Sequence, residues 1–506
     1  MNGNLYTLLR SRFPSDRSRP FIETLDGRTY SYADLETISG RLARLLSTLG
    51  VTKGDRVAAQ IEKSPAALLL YLACLRVGAA YLPLNTAYRA AEIDYFLSDA
   101  EPRVVVTDPA RSEEIRALPG ADGVAALLTL DASGAGSLIE RSHGLDPDFD
   151  GPPLEADDLA GILYTSGTTG RAKGAMLSHG NLGANADTLA RLWGFTADDV
   201  LLHALPIYHT HGLFVASNSV LLSGAKMLFL PRFDAQAVIG LLPRATVMMG
   251  VPTFYTRLLA EPAFDREACR NMRLFISGSA PLLVETFEAF EARSGHRILE
   301  RYGMTETGMN ASNPLEGERI AGTVGPRLPD VEVRIADEAG RILGPGEVGV
   351  LEVRGPNVFK GYWRNPEKTR EEFRPDGFFI TGDITRIDAR GYLHIVGRSK
   401  DLIISGGFNV YPKEVEQVID SIDGVGESAV IGLAHPDFGE AVAAVVTRTE
   451  DGNGLNDEAV IARAKAELAN YKVPKRVFFV AALPRNSMGK VQKNLLRERY
   501  KDAFRA

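Results

Sequence analysis

The stretch YTSGTTGRAKG, Tyr164 to Gly174, crowds small hydroxyl residues and glycines around one lysine. Thr165, Ser166, Thr168 and Thr169 offer hydroxyls, Gly167 and Gly170 free backbone amides to approach an anion, and Lys173 supplies a countercharge. That chemistry suits the triphosphate tail of a nucleotide. A Walker loop places its lysine directly after the second glycine, whereas Lys173 precedes Gly174, so this is a different phosphate loop or a flexible surface turn. The neighbouring segments favour the phosphate loop.

The elements that must position this loop follow an α/β rhythm. Between residues 20 and 330, short apolar runs such as RVVVTDP, AGILYTSG, KMLFLP, ATVMMGVPT and RLFISGSAP alternate with helical patterns, and most end in Gly, Ser, Thr or Pro. In such sheets ligands collect beyond the carboxyl ends of the strands, where TSGTTG, VPT, SGSAP and YGMTET fall. From about 324 to 396 the pattern turns to alternating strands with tight turns, predicting a small antiparallel, barrel-like subdomain. A compact α+β domain follows over 400–506, with a helix begun by Pro412. The expected architecture is therefore α/β, with a large N-terminal domain over 1–399 and a small, mobile C-terminal domain over 400–506.

With 506 residues, 45% hydrophobic and 24% charged, the chain has core material for at least two domains. A net charge of −7 without basic blocks argues against nucleic acid as a partner. The apolar run Ala66–Leu75 is about half a membrane span and reads as a buried helix capped by Ser64 and started by Pro65. No membrane association is expected. Cys74 and Cys269, the only cysteines, both sit in runs that read as helical, which excludes a disulfide framework. The N-terminus lacks the apolar core of a secretory signal, so a cytoplasmic protein is expected.

Five separated motifs, YTSGTTGRAKG, RYGMTET, FFITGD, GRSKDLIISGGFNVYP and LPRNSMGK, occur in one order that resembles the AMP-forming acyl-adenylate ligases, which include acyl-CoA synthetases. The resemblance implies two steps, with ATP, Mg²⁺ and coenzyme A as partners in chemistry. A carboxylate attacks the α-phosphorus of ATP, releasing pyrophosphate, and the acyl-adenylate then passes its acyl group to a thiol. It further implies that the loop from Thr165 to Lys173, with Ser279, Ala280, Tyr302, Gly303, Met304 and Thr305, holds ATP. Tyr302 would stack on adenine, Thr305 would contact the α-phosphate, and Glu306 would hold Mg²⁺. Asp383 would accept from the ribose hydroxyls, with Arg398 supporting ribose and phosphates. Lys490 would stabilise charge at the reacting carboxylate and α-phosphate. Lysine acetylation regulates relatives at this position, which makes a lysine acetyltransferase an implied partner. Lys400 falls on the hinge, where a plain surface linker is the other reading, and Gly406 and Gly407 on the strand that meets CoA.

The acyl pocket is expected from ALPIYHTHGLF, GVPTFYTRLL and FISGSAPL, which contribute His209, His211, Arg257, Ser277, Gly278 and Ser279. That lining suits a polar acid. A guanidinium at Arg257, on a helix begun by Pro252, would pair with a second carboxylate, although a surface ion pair is its plainer reading. The segments YHTHG and VPTFYTRLL resemble malonyl-CoA synthetases, which implies malonate as the acid and methylmalonate as a further candidate. His209 matches the histidine that gates the thiol tunnel in the family. The alternatives are a ligase for another short or medium acid, a module that loads a carrier protein, and a decayed nucleotide binder.

Overall fold

A computed structural model describes residues 3–165, 172–337, 339–405, 408–435, 438–486 and 489–504. Its internal contacts divide the chain into one unit of residues 1–332 and 353–379 and another of 333–352 and 380–506. The division expected at 399/400 follows motifs; by packing, most strands of the 324–396 stretch group with the C-terminal residues.

The first unit is α/β and holds two sheets. One has eight strands, with Gly308–Ser312, Leu299–Met304, Leu274–Ser277, Val247–Gly250, Val200–His203, Lys226–Phe229, Pro20–Thr24 and Thr29–Ser31 side by side in that order. Its interior pairs are parallel, and only the outermost strand on each side runs antiparallel. The other has six, ordered Ala126–Thr129, Val104–Thr107, Arg56–Gln60, Ala80–Pro83, Leu159–Thr165 and Lys173–Ser178. Strands such as Val104–Thr107, with every residue buried, are almost wholly apolar because helices cover both faces of a parallel sheet. The helix Pro65–Val77 is one such cover: buried along nearly its whole length, capped by Ser64 accepting from the Ala67 amide, and ended by Gly78 at φ 80°. Cys74 lies in this helix, whereas Cys269 lies in a turn rather than the expected helix.

Parallel order has a direct consequence for function. His203, Gly250, Ser277 and Met304 end neighbouring strands on the same side of the eight-stranded sheet, so the loops after them are neighbours too.

The second unit contains a four-stranded sheet ending in the antiparallel hairpin Phe379–Ile387 and Leu393–Arg398. It also contains a five-stranded sheet centred on the long antiparallel pair Val425–His435 and Gly439–Arg448. The helix Pro412–Asp420 buries Val415 and Ile419 against this second sheet, as its 3.6-residue period requires.

Candidate active site

Three segments of the first unit bring charge together. Thr165 and Lys173 face each other across the base of an antiparallel hairpin, which is how the phosphate-loop candidate is held. Ser166, Gly167, Thr168, Thr169 and Gly170 lie outside the described residues. Glu306 is buried, and its Oε1 accepts from Thr165 Oγ1 at 3.2 Å. Lys173 Nζ lies 3.0 Å from Glu372 Oε1 and 4.2 Å from the ring centroid of Tyr362. The Tyr362 hydroxyl stands 2.6 Å from Glu372 Oε2 and 3.2 Å from Glu306 Oε1. Burial, followed by the negative charge of Glu306, pushes the phenol far above its ordinary value, so it remains a proton donor. Tyr362 and Glu372 belong to none of the five motifs; the aromatic pair of FKGYW is the one mark they leave in the sequence.

Tyr302, Gly303 and Met304 occupy the end of the strand Leu299–Met304, with Thr305 and Glu306 at the turn beyond it. Gly303 is required there by close approach: a Cβ would stand 2.1 Å from the Gly308 carbonyl oxygen.

At the acyl end, Arg257, the arginine expected to pair with a second carboxylate, is not enclosed. The helix does begin at Pro252, but its turns carry Arg257 to the exposed side while Tyr255 and Leu258 point inward. The buried cation is Arg301, 3% exposed, on the strand that leads into the YGMTET turn. Its Nε and Nη2 are enclosed and have no hydrogen-bond partner among the described residues, and the same holds for His211 Nε2 and Ser277 Oγ. Gly278 makes room for it, since a Cβ at 278 would stand 2.5 Å from Arg301 Cζ. Desolvation pushes the guanidinium down to about 10, which leaves it charged at neutral pH. Burial, and then the charge of Arg301, hold His211 neutral.

Ser279 adopts φ 71°, uncommon for a residue with a Cβ, and its Oγ lies 3.2 Å from His211 Nδ1; Ala280 follows it in the same loop. His209 Nδ1 accepts from the His211 amide at 3.3 Å. Along the chain Arg301 reads only as the lead-in to a nucleotide motif, which hides its role. The charged pair Glu300–Arg301 between the apolar Ile298–Leu299 and the YGM turn is the available signal.

In the second unit, Asp383 is buried and its Oδ1 lies 2.5 Å from Arg398 Nε, across the hairpin that pairs the two residues directly. Lys490 sits on a tight turn in which its amide donates to Asn486 Oδ1 at 2.9 Å and Gly489 takes φ 75°. Much of its side chain reaches solvent, yet desolvation and then the charge of Arg398 bring the ammonium down to about 8. Asp383 acts in the opposite direction, so Lys490 stands within electrostatic reach of the Asp383–Arg398 pair. Lys400 is exposed in the short turn Ser399–Asp401; Gly406 and Gly407 lie outside the described residues.

The chain is similar to known proteins along its whole length. The chain is 56% identical to ATP-bound MatB from Rhodopseudomonas palustris, whose crystal structure superposes with a TM-score of 0.98 over 100% of both chains. A feruloyl-CoA synthase of an Amycolatopsis species is 36% identical over 94% of each protein. A malonate–CoA ligase of Arabidopsis thaliana is 34% identical over 94% of this chain and 85% of its own length. Residues 11–363 match the AMP-binding enzyme family and residues 414–490 the AMP-binding enzyme C-terminal domain. The chain therefore belongs to the AMP-binding enzyme family.

Proposed function

We propose that this chain is an AMP-forming malonate–CoA ligase. It converts malonate and ATP to malonyl-adenylate and pyrophosphate, then transfers the malonyl group to CoA with release of AMP. Relatives at 34–36% identity are named for ferulate and for malonate, whereas the 56% identical match is MatB, and the acid is the one the site fits. One observation carries the choice: Arg301 is buried, charged, and has two unpartnered nitrogens within electrostatic reach of the buried His211, whose Nε2 is also unpartnered among the described residues. A carboxylate distal to the reacting one would satisfy that guanidinium through charge-assisted hydrogen bonds. Acetate or a fatty acid would leave a desolvated cation unpaired, at a cost of about 3–5 kcal/mol. Arg257, exposed and solvated, would contribute little to this choice.

ATP is held in this reading by the Thr165–Lys173 hairpin and the Tyr302–Thr305 turn. Glu306, a buried carboxylate oriented by Thr165 and Tyr362, fits a magnesium ion that arrives with the triphosphate. When bound, that ion would neutralise phosphate charge. Lys490 supplies the mobile positive charge at the reacting centre and Lys400 the hinge, and acetylation of Lys490 would silence the first step. No helix among the described residues is long and apolar enough to cross a membrane; the proposal places the enzyme in the cytoplasm.

The test is CoA-dependent AMP release with malonate, methylmalonate, acetate and octanoate, on the parent enzyme and on Arg301→Met. Malonate should be the best of the four, and R301M should lower its kcat/KM by about a hundredfold or more. The acetate rate should change far less. Octanoate outpacing malonate would overturn the assignment.

A further inference from the structure

Lys63 is a buried lysine with no carboxylate among its contacts in the described residues. It follows the strand Arg56–Gln60 of the six-stranded sheet and reaches to the end of Val200–His203 in the eight-stranded sheet. Its Nζ lies 2.8 Å from the His203 carbonyl oxygen, 2.9 Å from His203 Nδ1 and 4.2 Å from the Phe229 ring centroid. Two hydrogen bonds and an aromatic face account for three ammonium hydrogens. Burying such a cation costs several kcal/mol unless its geometry is served elsewhere.

The oxygens around the ring fix where its proton sits. His203 Nε2 lies 3.0 Å from the Gly212 carbonyl oxygen and 3.3 Å from Ser217 Oγ. Ser217 already donates its single hydroxyl hydrogen to that same carbonyl at 2.8 Å. Neither oxygen has a proton left to give, so Nε2 carries the hydrogen and donates it to Gly212. Nδ1 is then the acceptor, and Lys63 is the group that donates to it.

Gly212 is the point of leverage. A Cβ there would stand 2.0 Å from the Pro206 carbonyl oxygen, so the chain from Pro206 to Gly212 doubles back tightly. That loop carries His209 and His211, and His211 opens the wide turn that runs to Ser217.

We infer that Lys63 and His203 are positioning residues for the histidine loop: Lys63 fixes His203 as its Nε2–H tautomer, and His203 holds the Gly212 carbonyl and thereby places His209 and His211. The inference rests on the proposed acyl site only in what the loop faces. Burial depresses both Lys63 and His203 well below their ordinary values, which keeps the histidine neutral, and Lys63 keeps N–H hydrogens for both of its bonds with or without its third proton.

Two measurements separate this role from general support of the fold. Nitrogen-15 NMR of His203 in the full-length enzyme should show a neutral ring protonated at Nε2 across about pH 6 to 8. This readout does not depend on which acid the enzyme uses, so it stands or falls apart from the malonate assignment. The second is the KM of each substrate for K63M, H203F and H203Q, taken with whichever acid the parent enzyme turns over. K63M removes a buried cation with little loss of volume, so it should stay folded. K63M and H203F should each raise the KM for the acid about tenfold and leave the KM for ATP within about twofold. H203Q, whose amide can accept and donate at once, should recover most of the loss. An imidazolium or an Nδ1–H ring at His203 would overturn the inference. Equal changes for acid and ATP, or none in either, would do the same.

Discussion

Arg301 and Arg257 differ by burial, and burial decides their chemistry. An exposed guanidinium is already satisfied by water and contributes little when it meets a carboxylate, whereas an enclosed one with empty donor positions discriminates between acids that fill them and acids that do not. Lys490 offers a separate test. Its ammonium is brought down to about 8, so it is charged below that pH and loses its charge as the pH rises through it. If the charge is what counts, malonate-dependent pyrophosphate exchange should fall above about pH 8, with the midpoint in kcat rather than in the KM for ATP. K490Q, which mimics acetylation, should be slow at every pH. A parent profile that stays level to about pH 9.5 would remove Lys490 from the step.

The elements around the acyl site explain why glycine recurs there. Gly303 is held against a carbonyl oxygen of its own hairpin, so any side chain would force the paired strands apart. Gly278 is held instead against the guanidinium of Arg301, the movable end of a long side chain. The two should therefore respond differently to alanine. Gly278→Ala should leave the protein folded, with circular dichroism and the KM for ATP close to the parent, because Arg301 yields before the backbone does. Its kcat/KM for malonate should drop at least about tenfold as the cation is displaced from the site. Loss of fold, or equal loss for ATP and malonate, would mean that the strand gives way first.

At the scale of the whole molecule, the residues assigned to one reaction divide between two units. Thr165, Lys173, Arg301 and Glu306 belong to the first, and Asp383, Arg398 and Lys490 to the second. The hinge proposed at Lys400 falls inside the second unit, in a short exposed turn where backbone freedom can be removed without disturbing a core. Lys400→Pro should retain pyrophosphate exchange with malonate within a few fold and lose most malonyl transfer to CoA. If both half-reactions fall together, or neither does, Lys400 is not the hinge.

Sequence alone determined the order and kind of most elements, because buried parallel strands need uninterrupted apolar runs and amphipathic helices need their period. It also marked the nucleotide side of the proposed site: Thr165, Lys173, Glu306, Asp383, Arg398 and Lys490 lie within local motifs whose spacing can be read along the chain. What it could not rank was one arginine against another. Arg257 and Arg301 both follow plausible pocket segments, and which is enclosed depends on helix rotation and on a missing side chain at Gly278. The contacts of Lys63 with His203, and of Tyr362 with Glu306, join residues 140 and 56 positions apart. Desolvation and proton sharing arise only when distant segments are packed together, so only the tertiary structure could decide them.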